Sequence, residues 1–321
     1  MNTIGHNFRL TTFGESHAIA MGGIIDGCPS KLLLDIDKIN AELARRQGNS
    51  IHTTARQEPN EVEFLSGVLK GVTLGTPIAF MVRNKDCRPQ DYDAMKELYR
   101  PNHGDYTWQE KYGIRDARGG GRASARETVS WVVAGAIAKQ ILAQSEIEIS
   151  AKIESIGGER NYKEIIEKAQ QEKDTLGGII SCRITHLKVG LGEPVFDKIT
   201  SRMAQAMMSI PSAMGFEMGK GFEAATMRGS EYIDPWNNDF STQTNHCGGA
   251  QGGISNGMPL EFRVAFHPVV TIPKGINCND AIGNQHWIEP KGRHDSCHVL
   301  RVPAIVEALA AMVILDFELE K

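Results

Sequence analysis

No two of the six cysteines, at positions 28, 87, 182, 247, 278 and 297, stand in C-x-x-C spacing. That scatter argues against a zinc knuckle and a disulfide framework, and a reducing cytoplasm suits it best. No apolar run approaches the roughly eighteen residues of a membrane span. Met1 to Leu10 lacks a basic stretch leading into an apolar one, so neither a signal peptide nor an anchor is expected. Charge of one sign is scarce too: 35 Lys and Arg stand against 39 Asp and Glu, a net charge of −4. A surface that as a whole seeks nucleic acid or anionic membrane is therefore not expected. Two nucleotide signatures are missing as well. There is no G-x-x-x-x-G-K-[ST], and Gly119-x-Gly121 lacks the third glycine of the dinucleotide fingerprint and follows a charged run instead of a buried strand.

What is present is an ordinary soluble composition, 41% hydrophobic and 23% charged over 321 residues, with ample core for one large domain or two. No linker marks a boundary. The chain reads as a single domain, 1–321, with two rounds of strands and helices suggesting an internal pseudo-duplication. The stretch Arg115 to Glu127 stands out, with four arginines around Gly119-Gly120-Gly121. Ser124 and Glu127 form a capping-box pattern, and Val129, Val132, Val133, Ala136, Ile137 and Ile141 keep helical spacing, which predicts a helix from about 125 to 143. Glycine backbone freedom and unpaired helix N–H groups let such a turn close around an anion, and guanidinium is the side chain best matched to carboxylate and phosphate.

Around this stretch, strands are expected at Phe8–Thr12 and Met21–Ile25, and a helix over Asp35–Arg46 with Arg45 and Arg46 in its last turn. Val62–Leu69 and Ile78–Val82 read as paired strands. Tyr106, Trp108 and Tyr112 either pack a flat ligand or fill a core. Gly177 to Val189 alternates like a strand, Gly192-Glu193-Pro194 introduces a helix through Met208, and Met214 to Met227 is hairpin-like. Glu261–Phe266 is a strand, Cys297–Leu315 a helix despite Pro303, and the polar segment Glu159–Thr175 a helix or surface excursion. His294 and His298, four apart, have no third ligand near them in sequence, so no metal is expected.

Taken in order, Gly14-Glu15-Ser16-His17, Arg100-Pro101-Asn102-His103-Gly104-Asp105-Tyr106-Thr107, Gly119 to Thr128, Gly190 to Asp197 and Gly292-Arg293-His294-Asp295 resemble chorismate synthase, from the first residues to the last helix. The resemblance implies an α+β fold, a β-α-β sandwich with helices enclosed between antiparallel sheets, assembled as a homotetramer. It also implies a reaction. 5-Enolpyruvylshikimate 3-phosphate loses phosphate and a ring proton in a 1,4-elimination that gives chorismate, with reduced FMN required and no net oxidation. Without a spare domain for NADPH, an external flavin reductase is expected.

By that resemblance, Ser16, Arg46, Arg100, Ala125, Arg126 and Arg293 hold the substrate's carboxylates and phosphate, groups that need paired cations in a water-poor site. Arg122, Ala123, Ser124, Ser212, Ala213, Asn245, Gly252, the segment His267-Pro268-Val269-Val270-Thr271 and again Arg293 face FMN. His17 supplies a proton to the departing phosphate, as an imidazole with an ordinary pKa of about 6.5 can. His103 sits by the flavin, and Asp295 assists removal of the ring proton through flavin N5. The chain departs from the family pattern at Ala18 (usually glycine), Ile51 (commonly arginine) and Ser296 (commonly proline), and around His267–Thr271. Arg56 or His52 is then the candidate to replace an anion contact at position 51. Two rival readings remain open on residues alone: a net flavin oxidoreductase, and a nucleic-acid-binding module built on the arginines and their neighbouring aromatics.

Overall fold

Side chains that alternate between core and solvent build two antiparallel sheets. The computed structural model describes residues 1–48, 60–86, 89–290 and 295–320. The first sheet contains β1 (Thr3–Ile4), β2 (Arg9–Phe13), β3 (Ala20–Asp26), β4 (Val62–Phe64) and β5 (Ile78–Arg83), in the order β1-β2-β3-β5-β4. Leu10 of β2 lies opposite Ile25 of β3, which lies opposite Ile78 of β5, and all three are buried. The second sheet contains β6 (Glu148–Ile156), β7 (Gly178–Thr185), β8 (Ala213–Met218) and β9 (Leu260–Phe266), in the order β8-β9-β7-β6. Leu260, Phe262, Val264 and Phe266 of β9 turn inward, while Arg263 on the other face pairs with Glu154 at 3.0 Å.

The α-helices longer than one turn are α1 (Ile36–Gln47), α2 (Asp105–Tyr112), α3 (Thr128–Leu142), α4 (Lys163–Gln171), α5 (Ile199–Met208) and α6 (Val302–Glu318). Helix α3 is apolar on nearly every side, as a helix must be when no side faces water. It packs on the first sheet with one face and on α6 with the other, and α6 packs in turn on the second sheet. Gly135 sets how closely they cross, since a Cβ there would lie 2.3 Å from that of Ala308. The molecule is thus an α+β sandwich with helices between antiparallel sheets. Among the described residues one segment, His298–Glu318, is long and apolar enough to cross a bilayer, and most of it is buried in this core. At the far end of α6, the buried Asp316 carboxylate accepts the N–H groups of His6, Asn7 and Phe8 at 2.9, 2.6 and 2.7 Å and pairs with Arg202.

Several expectations are corrected. Val62–Leu69 is not one strand: only Val62–Phe64 pairs with β5, and Val68–Leu69 turns back onto Val72–Thr73. Met214–Met227 is no local hairpin, because β8 pairs with β9, about forty residues on, and a 3-10 turn follows at Gly221–Thr226. The capping box is half formed. Ser124 Oγ accepts from Arg126 N at 3.2 Å, but Glu127 turns to Arg122, so a 3-10 turn at Ala125–Glu127 precedes α3. Pro303 is accommodated in the first turn of α6, where its missing N–H costs no helical bond. Tyr106 and Tyr112 are not core residues but are exposed, on the helix α2.

Candidate functional site

The arginine-glycine stretch forms the floor of the site because each of its arginines meets a defined acceptor. Arg115 donates to Asp105 at 3.2 Å and to the carbonyls of Lys96 and Leu98, and Arg118 closes on Asp116 at 2.9 Å. Arg122 pairs with Glu127 at 2.9 Å and reaches Thr12 Oγ1 and the Gly14 carbonyl. Arg126 is buried and donates to Asn84 Oδ1 at 2.9 Å, Asn60 Oδ1 at 2.7 Å and the Arg83 carbonyl at 3.2 Å. From the last turn of α1, Arg46 donates to Thr128 Oγ1 at 2.8 Å and to the Ala125 carbonyl at 2.7 Å. Arg46, Arg126, Ala125 and Ser124 therefore converge on the start of α3.

The turn after β2 brings Ser16 and His17 to the same floor. Ser16 N–H donates to the Gly121 carbonyl at 3.3 Å, and Ser16 Oγ lies 3.1 Å from His17 Nδ1. Both residues are buried, with the Tyr92 ring edge-on to the His17 imidazole at 5.1 Å. Gly119 lies beneath the imidazole: at φ +94°, a Cβ there would come 2.7 Å from two ring atoms of His17. The Gly119 carbonyl accepts Arg100 Nη2 at 3.0 Å, and the same nitrogen lies 3.1 Å from His103 Nδ1. His17 and His103 are thus joined through one glycine and one arginine.

Asp105 holds the second histidine. Its carboxylate lies 2.7 Å from Arg100 Nε and 3.0 Å from His103 Nδ1. Burial acts to raise this carboxyl, but the hydrogen bonds from Arg100 and His103 outweigh it and hold the group well below the usual carboxylate range. Asp116 follows the same pattern: burial raises it, and Arg118 together with the charge of His17 brings it down. At Glu127 burial prevails over Thr12 and Arg122, and the carboxyl is raised. Arg46, Arg100, Arg115, Arg118, Arg122 and Arg126 outnumber Glu15, Asp105, Asp116 and Glu127, which leaves the floor net positive. Above it opens a cleft of about 630 Å³ lined by the Gly119–Ala123 backbone, Glu15, His103, Trp108, Tyr112 and Arg118. Trp108 and Tyr112 are thus cleft wall and not core filling.

The remaining expected residues form two further groups. Ser212, Ala213 and His267 meet where β8 begins and β9 ends: His267 N–H donates to the Ser212 carbonyl at 3.0 Å, and Ser212 Oγ lies 2.5 Å from His298 Nε2. Pro268, Val269, Val270 and Thr271 continue from there, and Val269 accepts from Thr175 Oγ1 at 2.7 Å. Asp295 pairs with Arg301 at 3.0 Å, in the short turn that also carries His298 and packs on α1. Burial, with His267 and Arg301 nearby, pushes His298 down to about 4. Asn245 sits at the opposite end of β9, donating to the Pro259 carbonyl at 2.8 Å, and Gly252 is in the turn beyond it. Asn245 Oδ1 and His298 Nδ1 are buried without a hydrogen-bond partner among the described residues. Arg293, His294, Ile51, His52 and Arg56 lie outside the described residues.

Sequence reasoning did not single out Asn60, Asn84, Asp105 or Asp116. Asp105 and Asp116 stand inside the segments it quoted, and their signal was a carboxylate within five residues of an arginine. Asn60 and Asn84 carry no local signal, because their partners are 66 and 42 residues away.

Comparison with known proteins bears on this geometry. The family model described as chorismate synthase matches residues 8–319. A chorismate synthase of Christiangramia forsetii is 46% identical, covering 99% of this chain and 98% of the relative. One from Flavobacterium psychrophilum is 47% identical, covering 98% and 96%. A solved structure described as a crystal structure of chorismate synthase superimposes with a TM-score of 0.76 at 30% identity, covering 98% of this chain and 92% of that one.

Proposed function

The chain belongs to the chorismate synthase family, and on that premise we propose that it converts 5-enolpyruvylshikimate 3-phosphate to chorismate by 1,4-elimination of phosphate, as a carbon–oxygen lyase dependent on reduced FMN. The observation that carries this reading is the seating of buried His17 on Gly119, within a floor of arginines at the start of α3. A trianionic ring compound finds there the paired cations that its desolvation requires.

In this reading Arg46, Arg100 and Arg126, with Ser16 and the Ala125 backbone, take the substrate's anions, exchanging the protein acceptors they now hold. His17 gives a proton to the departing phosphate oxygen, which lowers the cost of expelling a multiply charged group. Asp295, fixed by Arg301, is the carboxylate assigned to removal of the ring proton.

The residues fit a flavin. The Gly119–Gly121 backbone approaches the cleft without side chains, Trp108 and Tyr112 give it an aromatic wall, and away from the cleft Asn245 and His298 each present a buried polar atom with no described partner. Arg122, Ala123, Ser124 and His103 would hold it at the cleft, and Ser212, Ala213, Asn245, Gly252 and His267–Thr271, which lie away from that cleft, would reach it from other copies in the homotetramer. When bound, reduced FMN lends and regains an electron so that an unactivated ring can eliminate without net oxidation. His103, clamped between Arg100 and Asp105, sets the protonation of its neighbour.

The reading extends to a homotetramer, one domain per chain and an external flavin reductase. A cytoplasmic location is supported by the free, buried Cys28, Cys182, Cys278 and Cys297. Mixing protein, reduced FMN and 5-enolpyruvylshikimate 3-phosphate under nitrogen tests the reaction. Phosphate release with the flavin still reduced afterwards is expected, and stoichiometric flavin oxidation would overturn it in favour of a net oxidoreductase.

A further inference from the structure

Asn84 follows β5 directly and lies outside the groups already assigned, yet its side-chain amide joins two of them. Its Oδ1 accepts Arg126 Nε at 2.9 Å. Its Nδ2 donates to the carbonyl of Glu15 at 3.1 Å and to that of Ala18 at 2.9 Å, the two residues that flank Ser16 and His17. Its backbone N–H donates to the Ile19 carbonyl at 3.0 Å. The amide can be oriented only one way, because the reverse would set NH₂ against a guanidinium and an oxygen against two carbonyls. Arg126 is held in addition by Asn60 and by the Arg83 carbonyl. The turn is also held by Ala18 N–H on the Glu15 carbonyl at 3.1 Å, by Ser16 N–H on the Gly121 carbonyl at 3.3 Å and by Ser16 Oγ at 3.1 Å from His17 Nδ1. Asn84 thus gives the turn that carries His17 three bonds, to Glu15, Ala18 and Ile19, and supplies one of the three described acceptors of Arg126.

We infer that Asn84 is a positioning residue that fixes the His17 turn against Arg126, so that the proton donor and the anion-binding guanidinium keep one mutual geometry. The inference rests on the functional reading above for what that geometry is used for. Aspartate has the same shape but only accepts. It keeps the bond from Arg126 and replaces both donations to the turn by repulsion between oxygens. Alanine removes every side-chain bond of the clip and adds no repulsion.

The experiment compares wild type, Asn84→Ala and Asn84→Asp, each as folded full-length protein, by two readouts. In anaerobic turnover kcat falls in the order Asn, Ala, Asp, by roughly tenfold or more for Asn84→Asp. For Asn84→Ala the dissociation constant of 5-enolpyruvylshikimate 3-phosphate stays within about threefold, since two of the three described acceptors of Arg126 remain. Without substrate, the ¹⁵N imidazole resonances of His17, identified by their loss in His17→Gln, shift in both variants. Wild-type kcat and unshifted His17 resonances in the folded variants, or a fall in thermal stability alone, would overturn the inference. If wild type itself releases no phosphate, the functional reading fails and the imidazole resonances still decide the positioning role.

Discussion

Gly119 shows how much of the site hangs on one missing side chain. Its φ of +94° is strained for any L side chain, and a methyl there would lie 2.7 Å from the His17 ring, well inside van der Waals contact. Gly119→Ala is therefore expected to displace His17, lowering kcat about a hundredfold, and to cost about 1–3 kcal/mol of stability, read by steady-state kinetics and urea unfolding. Gly121→Ala is the control: it shares the positive φ, but its nearest neighbour would be Asp116 Cβ at 3.8 Å. Equal losses of kcat in the two variants would mean that backbone strain, not collision with His17, explains the effect. At this scale the sequence was informative wherever the argument was local. Ser124 as a cap and Arg45 and Arg46 in a last helical turn could be read from spacing. That Arg122 would clasp Glu127 and so undo half of the capping box could not, because both residues had a plausible local role elsewhere.

Among elements, the buried carboxylate of Glu307 ties the helical layer together. From α6 it meets Arg45 of α1 at 2.7 Å, Lys139 of α3 at 2.5 Å and the Ala151 N–H of β6 at 2.9 Å. Burial acts to raise this carboxyl, but Arg45 and Lys139 outweigh it and the group lies below its ordinary value. A carboxylate depressed in the folded state contributes stability that is fully present above the unfolded value of about 4.3 and is lost as pH falls through the lower folded value. Glu307→Ala should lower the unfolding free energy by about 3 kcal/mol at neutral pH, and the gap from wild type should narrow steadily below about pH 4. A gap independent of pH in denaturant titrations would refute the electrostatic origin. Elements with strong local patterns were legible: β2, β3, α1, β9 and α6 follow their apolar spacing. The β6 strand also alternates, from Ile149 through Ala151 to Ile153, but it follows a long helix without a turn signal and was passed over. Which strand pairs with which is a long-range choice, and that is why β8 was read as a hairpin when its partner is β9.

For the whole molecule, the positions assigned to the flavin by resemblance do not gather in one place within a chain. Ser212 and His267 lie at one end of β9 and Asn245 at the other, about 20 Å apart for a strand of this length. In the proposed homotetramer, copies could complete one another's sites. Mixing inactive His17→Ala with inactive Asn245→Leu, after dissociation and reassembly, is then expected to restore part of the activity, because some sites receive both intact groups. No recovery in mixed tetramers confirmed by mass would place every contributing residue in one chain. The binding of His6, Asn7 and Phe8 by Asp316, across about three hundred residues, has a consequence for synthesis. The first strands leave the ribosome some three hundred residues before the helix that fastens them, and until then the link between β1 and β2 lacks the acceptor of its N–H groups. Newly made chains should therefore depend on protection from aggregation until the last turn of α6 emerges.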